Sequence, residues 1–304
     1  MLDPSIESKI IDCFNDCISR WNISSEQGDS RSCYFKQHFK SWMESLPSDM
    51  QNIALRQMED FEYYSEQRLN GQLKKLYFKL QAEGYCNYDT DIFTTIPKKN
   101  GTANSSHVLL MKLKRLNNIS SQSIVPDPSN FFISGFPPLL KTIIFVDDFC
   151  GTGDTFIESI LKEEHSDAFQ DKKIVYAVLH CLDKGKAVIV EKAKDLQLNV
   201  DVISLYTEDK TYDDFMLEEI KNNSEDLGID KRYALGYKDS QALVAFSENT
   251  PNNTFGYIWY EPPQNNSYSP IFPRNHEKRP QWQNMAKQKS LRSRVNYESK
   301  IIKD

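Results

Sequence analysis

A chain of 304 residues carrying 43 acidic and 37 basic side chains, net charge −6, is long enough for a proper hydrophobic core without a disulfide or metal scaffold. That charge argues against a whole-protein polyanion binder and leaves only local basic patches. Six scattered cysteines (13, 17, 33, 86, 150, 181) form no C-x-x-C pair and no zinc spacing, the opening MLDPSIESKIIDCF has neither a basic nor an apolar leader region, and no run approaches the ~18 apolar residues of a membrane span; reduced thiols, a cytoplasmic location and no membrane contact are expected.

In chain order, Asp3-Pro4 reads as an N-cap followed by proline at the first helical position, and Ile6, Ile10, Phe14, Ile18 and Trp21 recur every three or four residues. A polar break (24–32) precedes a second helical run through Phe35, Phe39, Trp42 and Leu46. Pro47-Ser48-Asp49 then opens a third helical pattern reaching Leu80, with Gly71 a candidate break. Beyond Asp91 short β-branched runs alternate with amphipathic segments. DIFTTIP reads as a strand, KKNGTANSS as a loop and HVLLMKLKRLN as a helix; KTIIFVDDF is a strand, and GTGDTFIESILKEEH a loop entering a helix. KIVYAVLHCL, VDVISLY and QALVAFS read as strands, separated by the helices KGKAVIVEKAKDL and DDFMLEEIKNNSEDL. The alternation predicts an α/β fold: a mostly parallel sheet with helices on both faces, plus an N-terminal helical region. Three segments follow: a helical region 1–88, an α/β domain 89–275 and a basic polar tail 276–304 with eight Lys/Arg against three acids, either a solvated end or a local nucleic-acid contact.

The chemistry concentrates in KTIIFVDDFCGTGDTFIESI, residues 141–160. In an open parallel sheet the ligand crevice lies beyond the carboxyl ends of the strands, where Asp147 to Thr155 fall. Gly151 and Gly153 let the backbone turn tightly so that its N–H groups converge, Thr152 and Thr155 add hydroxyls, and with Asp154 they make a monophosphate pocket. The adjacent carboxylates Asp147 and Asp148 suit a sugar diol, through charge-assisted hydrogen bonds, better than a phosphate. A sugar 5-phosphate uses both halves. The loop is neither a Walker A motif nor a dinucleotide fingerprint, and a plain strand-to-helix turn is the competing reading. His180 at a strand end reads as a satisfied structural residue, while Asp183, Lys184 and Lys186 after it are candidates to reach a leaving group or a second substrate.

IIFVDDFCGTGDT resembles the signature of type I phosphoribosyltransferases: four apolar residues, two acids, then Thr-Gly-x-Thr. The resemblance implies that Asp147 and Asp148 bind the ribose hydroxyls of 5-phosphoribosyl-1-pyrophosphate (PRPP), that Gly151 to Thr155 cradle its 5-phosphate, and that the loop with Lys98, Lys99, Gly101, Thr102, Ser105 and Ser106 holds pyrophosphate, with solvated loop lysines the competing reading. It implies displacement of pyrophosphate at ribose C1, with Mg2+ carried by PRPP and no dedicated protein metal cluster. The stretch LVAFSENTPNNTFGYIWYEPP with SPIFPR is similar to a narrower group, the phosphoribosyltransferase-like effectors found beside reverse transcriptases in bacterial retrons and other conflict systems. That looser likeness covers 90–275 and implies an anti-phage toxin effector, a reverse transcriptase with its RNA-DNA product as partners, and an acceptor-binding or gating role for Glu248, Asn249, Asn252 and Asn253, which turn chemistry could also explain. A nucleotide-salvage enzyme and a non-catalytic PRPP-fold sensor are the alternatives; the acceptor and the oligomeric state stay open.

Overall fold

Ile143, Ile144, Phe145 and Val146 follow one another without a polar interruption, so their strand has to be covered on both faces. The computed structural model, which describes residues 4–23, 29–97, 105–209, 212–263 and 268–274, covers it that way. Lys98, Lys99, Gly101, Thr102 and the tail 276–304 lie outside the described residues.

Residues up to Arg274 cluster as one unit. The chain begins with α1 (Pro4–Arg20), α2 (Ser30–Ser45), α3 (Ser48–Asp60), β1 (Glu62–Tyr64) and α4 (Glu66–Ala82). Then come β2 (Asp91–Thr94), α5 (Ser105–Asn117), β3 (Ile124–Val125), α6 (Ser129–Ser134), β4 (Thr142–Cys150), α7 (Asp154–Ser159), β5 (Lys173–Leu182), α8 (Asp183–Asp195), β6 (Asn199–Glu208), α9 (Asp214–Asp226), β7 (Val244–Phe246) and α10 (Gly256–Trp259). Strands β3-β2-β4-β5-β6 form a five-stranded sheet, parallel throughout. Alternate residues feed two cores. Ile144, Val146, Val175, Ala177 and Ile203 pack on α4 and α5. Ile143, Phe145, Ile174, Val178 and Val202 pack on the opposite side against Phe156 of α7 and Ile189 and Ala193 of α8. The expected α/β fold with helices on both faces is therefore present.

The N-terminal stripe finds its partner in a third core. Phe14 stacks on Phe35 with centroids 5.7 Å apart, and Trp21 meets Phe35 edge-on at 5.0 Å. These helices share that core with α9, with buried residues between Ile229 and Ile258, and with Tyr268, Ile271 and Phe272. Phe272 is its hub, lying 5.6 Å from Phe35, 5.4 Å from Phe61 and 4.7 Å from Tyr63.

Two expectations need correction. The third helical pattern breaks at Phe61 to Ser65 rather than at Gly71, because β1 pairs with β7 there and Ser65 caps α4 by accepting from the Arg68 N–H. Gly71 lies inside α4, where an added Cβ would meet nothing within 4 Å. The strand in QALVAFS stays out of the main sheet; β7 pairs with β1 alone, in a separate two-stranded parallel sheet. Among the described residues no helix is long and apolar enough to cross a membrane.

Candidate active site

The chain runs from β2 outward to β3, then returns to the other side of β2 as β4. Connections therefore leave β2 and β4 in opposite directions, and a crevice opens beyond their carboxyl ends. A cavity of about 560 Å³ occupies that position, lined by Ile96 and Pro97 after β2 and by Asp147 to Phe156 along β4 and the following turn. Glu158 of α7, Ser106 from α5, Tyr176 from β5, Asn249, Asn252 and Asn253 from the loop after β7, and Arg274 also line it.

Asp147 is 8 % exposed and held on three sides. Ser106 Oγ donates to its Oδ1 at 2.9 Å, the Asp148 N–H donates to the same oxygen at 3.0 Å, and the Tyr176 hydroxyl donates to Oδ2 at 3.3 Å. Asp148 is half-buried on the same wall. The turn that follows depends on missing side chains. A Cβ on Gly151 would stand 2.6 Å from Asn253 Cγ, and Gly153 adopts the left-handed conformation (φ +80°), with its would-be Cβ 2.9 Å from the Gly185 carbonyl oxygen. Gly185 in turn lies so close to Gly151 that a Cβ there would sit 1.9 Å from the Gly151 oxygen. The turn thus rests on the first turn of α8 with no room for a side chain between them. Thr152 Oγ1 donates to Asp154 Oδ2 at 2.7 Å, and Lys238 Nζ donates to the same oxygen at 2.7 Å.

A model of the PRTase-CE family matches residues 39–274. The chain belongs to the PRTase-CE family. It is accordingly phosphoribosyltransferase-like, and the match includes every described element from within α2 to Arg274. Among curated proteins the comparison finds no match.

The electrostatics of this PRTase-CE crevice centre on the two carboxyls. Burial raises the Asp147 pKa, and the bonds from Ser106, the Asp148 N–H and Tyr176 work against that rise. For Asp148, desolvation and then the Asp147 charge beside it push the pKa up to about 8. Two crowded carboxyls titrate as a pair, so the pair retains a proton at neutral pH. Asp154 moves the other way: desolvation opposes it, and the bonds from Lys238 and Thr152 hold it below the usual carboxylate range.

The residues expected at the site fall into three groups. Asp147, Asp148, Gly151, Thr152, Gly153, Asp154, Thr155, Ser106, Asn249, Asn252 and Asn253 converge on the one cavity. Ser105 begins α5 and is not part of the lining. Asp183 and Lys184 instead line a second cavity of about 420 Å³ with Glu208 and Lys238, across the wall made by Gly151, Thr152 and Asp154. The reason is topological, since α8 starts at Asp183 directly from the end of β5, one strand away from the crevice. Glu248 is exposed and is not part of the wall. His180 is fully buried, its Nε2 2.9 Å from Glu208 Oε2 and its Nδ1 3.4 Å from the Tyr64 hydroxyl, which ties β5 and β6 to β1. That is the structural role expected of it. Sequence reasoning missed Tyr176 and Arg274. A lone tyrosine in a buried strand was a faint signal for the first; for the second the signal was its place at the end of SPIFPR, inside the stretch that carries the narrower resemblance but without a role of its own.

Proposed function

We propose that the crevice binds PRPP and transfers its phosphoribosyl group to an acceptor. The observation that carries this reading is the adjacent Asp147–Asp148 pair at the sheet's reversal point, on one cavity wall with the Gly151–Thr155 turn. A cavity of about 560 Å³ is of the size small ligands occupy. Ionised Asp148, beside an Asp147 already anchored by Ser106 and Tyr176, accepts from the ribose hydroxyls; the turn, whose Thr152 to Thr155 N–H groups donate to no acceptor among the described residues, takes the 5-phosphate. In the reaction the C1–O bond to pyrophosphate breaks with its electron pair leaving on pyrophosphate, and a bond from C1 to the acceptor forms. Lys98 and Lys99 are the proposed leaving-group cations.

Mg2+ is proposed to accompany the ligand's own oxygens, and Asp148, half-buried on the cavity wall, is the carboxylate that would assist it. Bound there, Mg2+ would neutralise charge on the departing pyrophosphate. The amides of Asn249, Asn252 and Asn253 are the proposed acceptor contacts, and the likeness of residues 243–274 to retron-associated effectors is the ground for proposing a cytoplasmic anti-phage role with a reverse transcriptase and its RNA-DNA product as partners.

The test is calorimetric titration of the full chain with PRPP and Mg2+, beside the Asp147→Asn/Asp148→Asn double variant. Binding that disappears in the double variant, with its thermal melt intact, is the expected result; equal binding by both proteins would refute the assignment. Pyrophosphate release on adding a nucleobase would favour salvage, and binding without any release would favour a sensor.

A further inference from the structure

The cavity has an unbalanced charge. Of its described lining residues, Asp147, Asp148, Asp154 and Glu158 are acidic and Arg274 alone is basic. A dianionic phosphate entering beside four carboxyls needs a fixed counter-charge, and the Gly151–Thr155 turn offers only neutral donors plus the Asp154 carboxylate. Lys238 does not meet that need, because it opens on the second cavity and is paired with Asp154.

Arg274 is placed to meet it. Its N–H donates to the Trp259 carbonyl oxygen at 3.3 Å, and its guanidinium carbon lies 5.7 Å from the centroid of the Trp259 ring, itself 2 % exposed. Two residues earlier Phe272 is locked into the aromatic core, so the backbone that delivers Arg274 is anchored on its N-terminal side. Desolvation lowers the Arg274 pKa, and among the described residues its guanidinium makes no ion pair and donates no hydrogen bond. A half-buried guanidinium held over a tryptophan, with no carboxylate partner among the described residues, is an arrangement that favours an incoming anion, and its planar fork matches phosphate oxygens.

We propose that Arg274 is a ligand-binding residue whose guanidinium holds a phosphate group of the molecule bound in the crevice. The inference rests on the phosphoribosyl reading of that crevice and extends it to a residue outside the signature. The phosphate is either the 5-phosphate or the pyrophosphate, which share one chemistry.

The full chain, Arg274→Gln and Arg274→Lys are titrated by calorimetry with PRPP, ribose 5-phosphate and inorganic pyrophosphate, each with Mg2+, and thermal melts check that the variants fold. Failure of the unaltered chain to bind PRPP would refute the phosphoribosyl reading itself. Given that binding, Arg274→Gln is expected to weaken it by roughly 10- to 100-fold, as for a lost hydrogen bond to a charged group. Arg274→Lys, which keeps the charge but loses the fork, recovers part of the loss. A loss confined to ribose 5-phosphate assigns the contact to the 5-phosphate, and one confined to pyrophosphate assigns it to the leaving group. Unchanged affinity of a folded Arg274→Gln for all three ligands overturns the inference.

Discussion

Ligand binding at the Asp147–Asp148 pair should release a proton. With Asp148 pushed up to about 8, roughly three-quarters of its carboxyls are protonated at pH 7.5 and about a tenth at pH 9. Ribose hydroxyls donate to the ionised form, so binding pulls the pKa back towards the ordinary carboxylate range and expels that proton. The sign follows: affinity weakens as pH falls through 8, by up to about tenfold per unit well below it, and flattens above it. Calorimetry in two buffers of different ionisation enthalpy measures the release, about 0.75 proton at pH 7.5 and about 0.1 at pH 9. That window lies above the phosphate pKa near 6, so the ligand's own phosphates contribute little. Equal apparent enthalpies in the two buffers at pH 7.5 would refute the raised Asp148 pKa or its contact with the ligand.

The same raised pKa implies that the carboxyl destabilises the empty chain as pH climbs from about 4 to about 8, since the folded state then binds more protons than the unfolded one. Asp148→Asn should therefore raise the unfolding free energy measured in urea at pH 8.5 by about 1–3 kcal/mol, after allowing for partial hydration of a half-buried group, and an unchanged value would count against the buried-pair account. Gly185→Ala forces a Cβ to within 1.9 Å of the Gly151 oxygen, so a loss of about 1–3 kcal/mol and weaker PRPP binding are expected. Gly71→Ala, with open space around the new Cβ, should gain about 0.5–1 kcal/mol and leave binding alone; similar effects from the two substitutions would refute the packing argument. Glu208→Ala strands the buried His180 and the Leu243 N–H that Glu208 also accepts from at 3.2 Å, and about 3 kcal/mol should be lost in urea unfolding, whereas a loss below about 1 kcal/mol would show that the network contributes little.

The strands that build the crevice were legible because they are nearly continuous apolar runs, and the pair at 147–148 because two acids ending such a run have no packing reason to be there. What escaped had no local signal. β3 is two residues long in a polar setting, and β1 reads as part of a helix because Phe61, Tyr63 and Tyr64 suit either state; its pairing with β7, about 180 residues away, decides the matter. The placing of Asp183 and Lys184 beyond the turn depends on which strand neighbours which, and residue order does not carry that.

The helical N-terminus bears on the site through packing rather than chemistry. Its aromatic stripe closes around Phe272, two residues before Arg274, and the buried Arg31 of α2 donates to Thr250 Oγ1 in the loop that carries Asn249, Asn252 and Asn253. Thr250 Oγ1 in turn donates to the Phe272 carbonyl oxygen at 2.9 Å. One wall of the crevice is therefore positioned by α1 to α3, while the opposite wall is positioned by β4 of the parallel sheet.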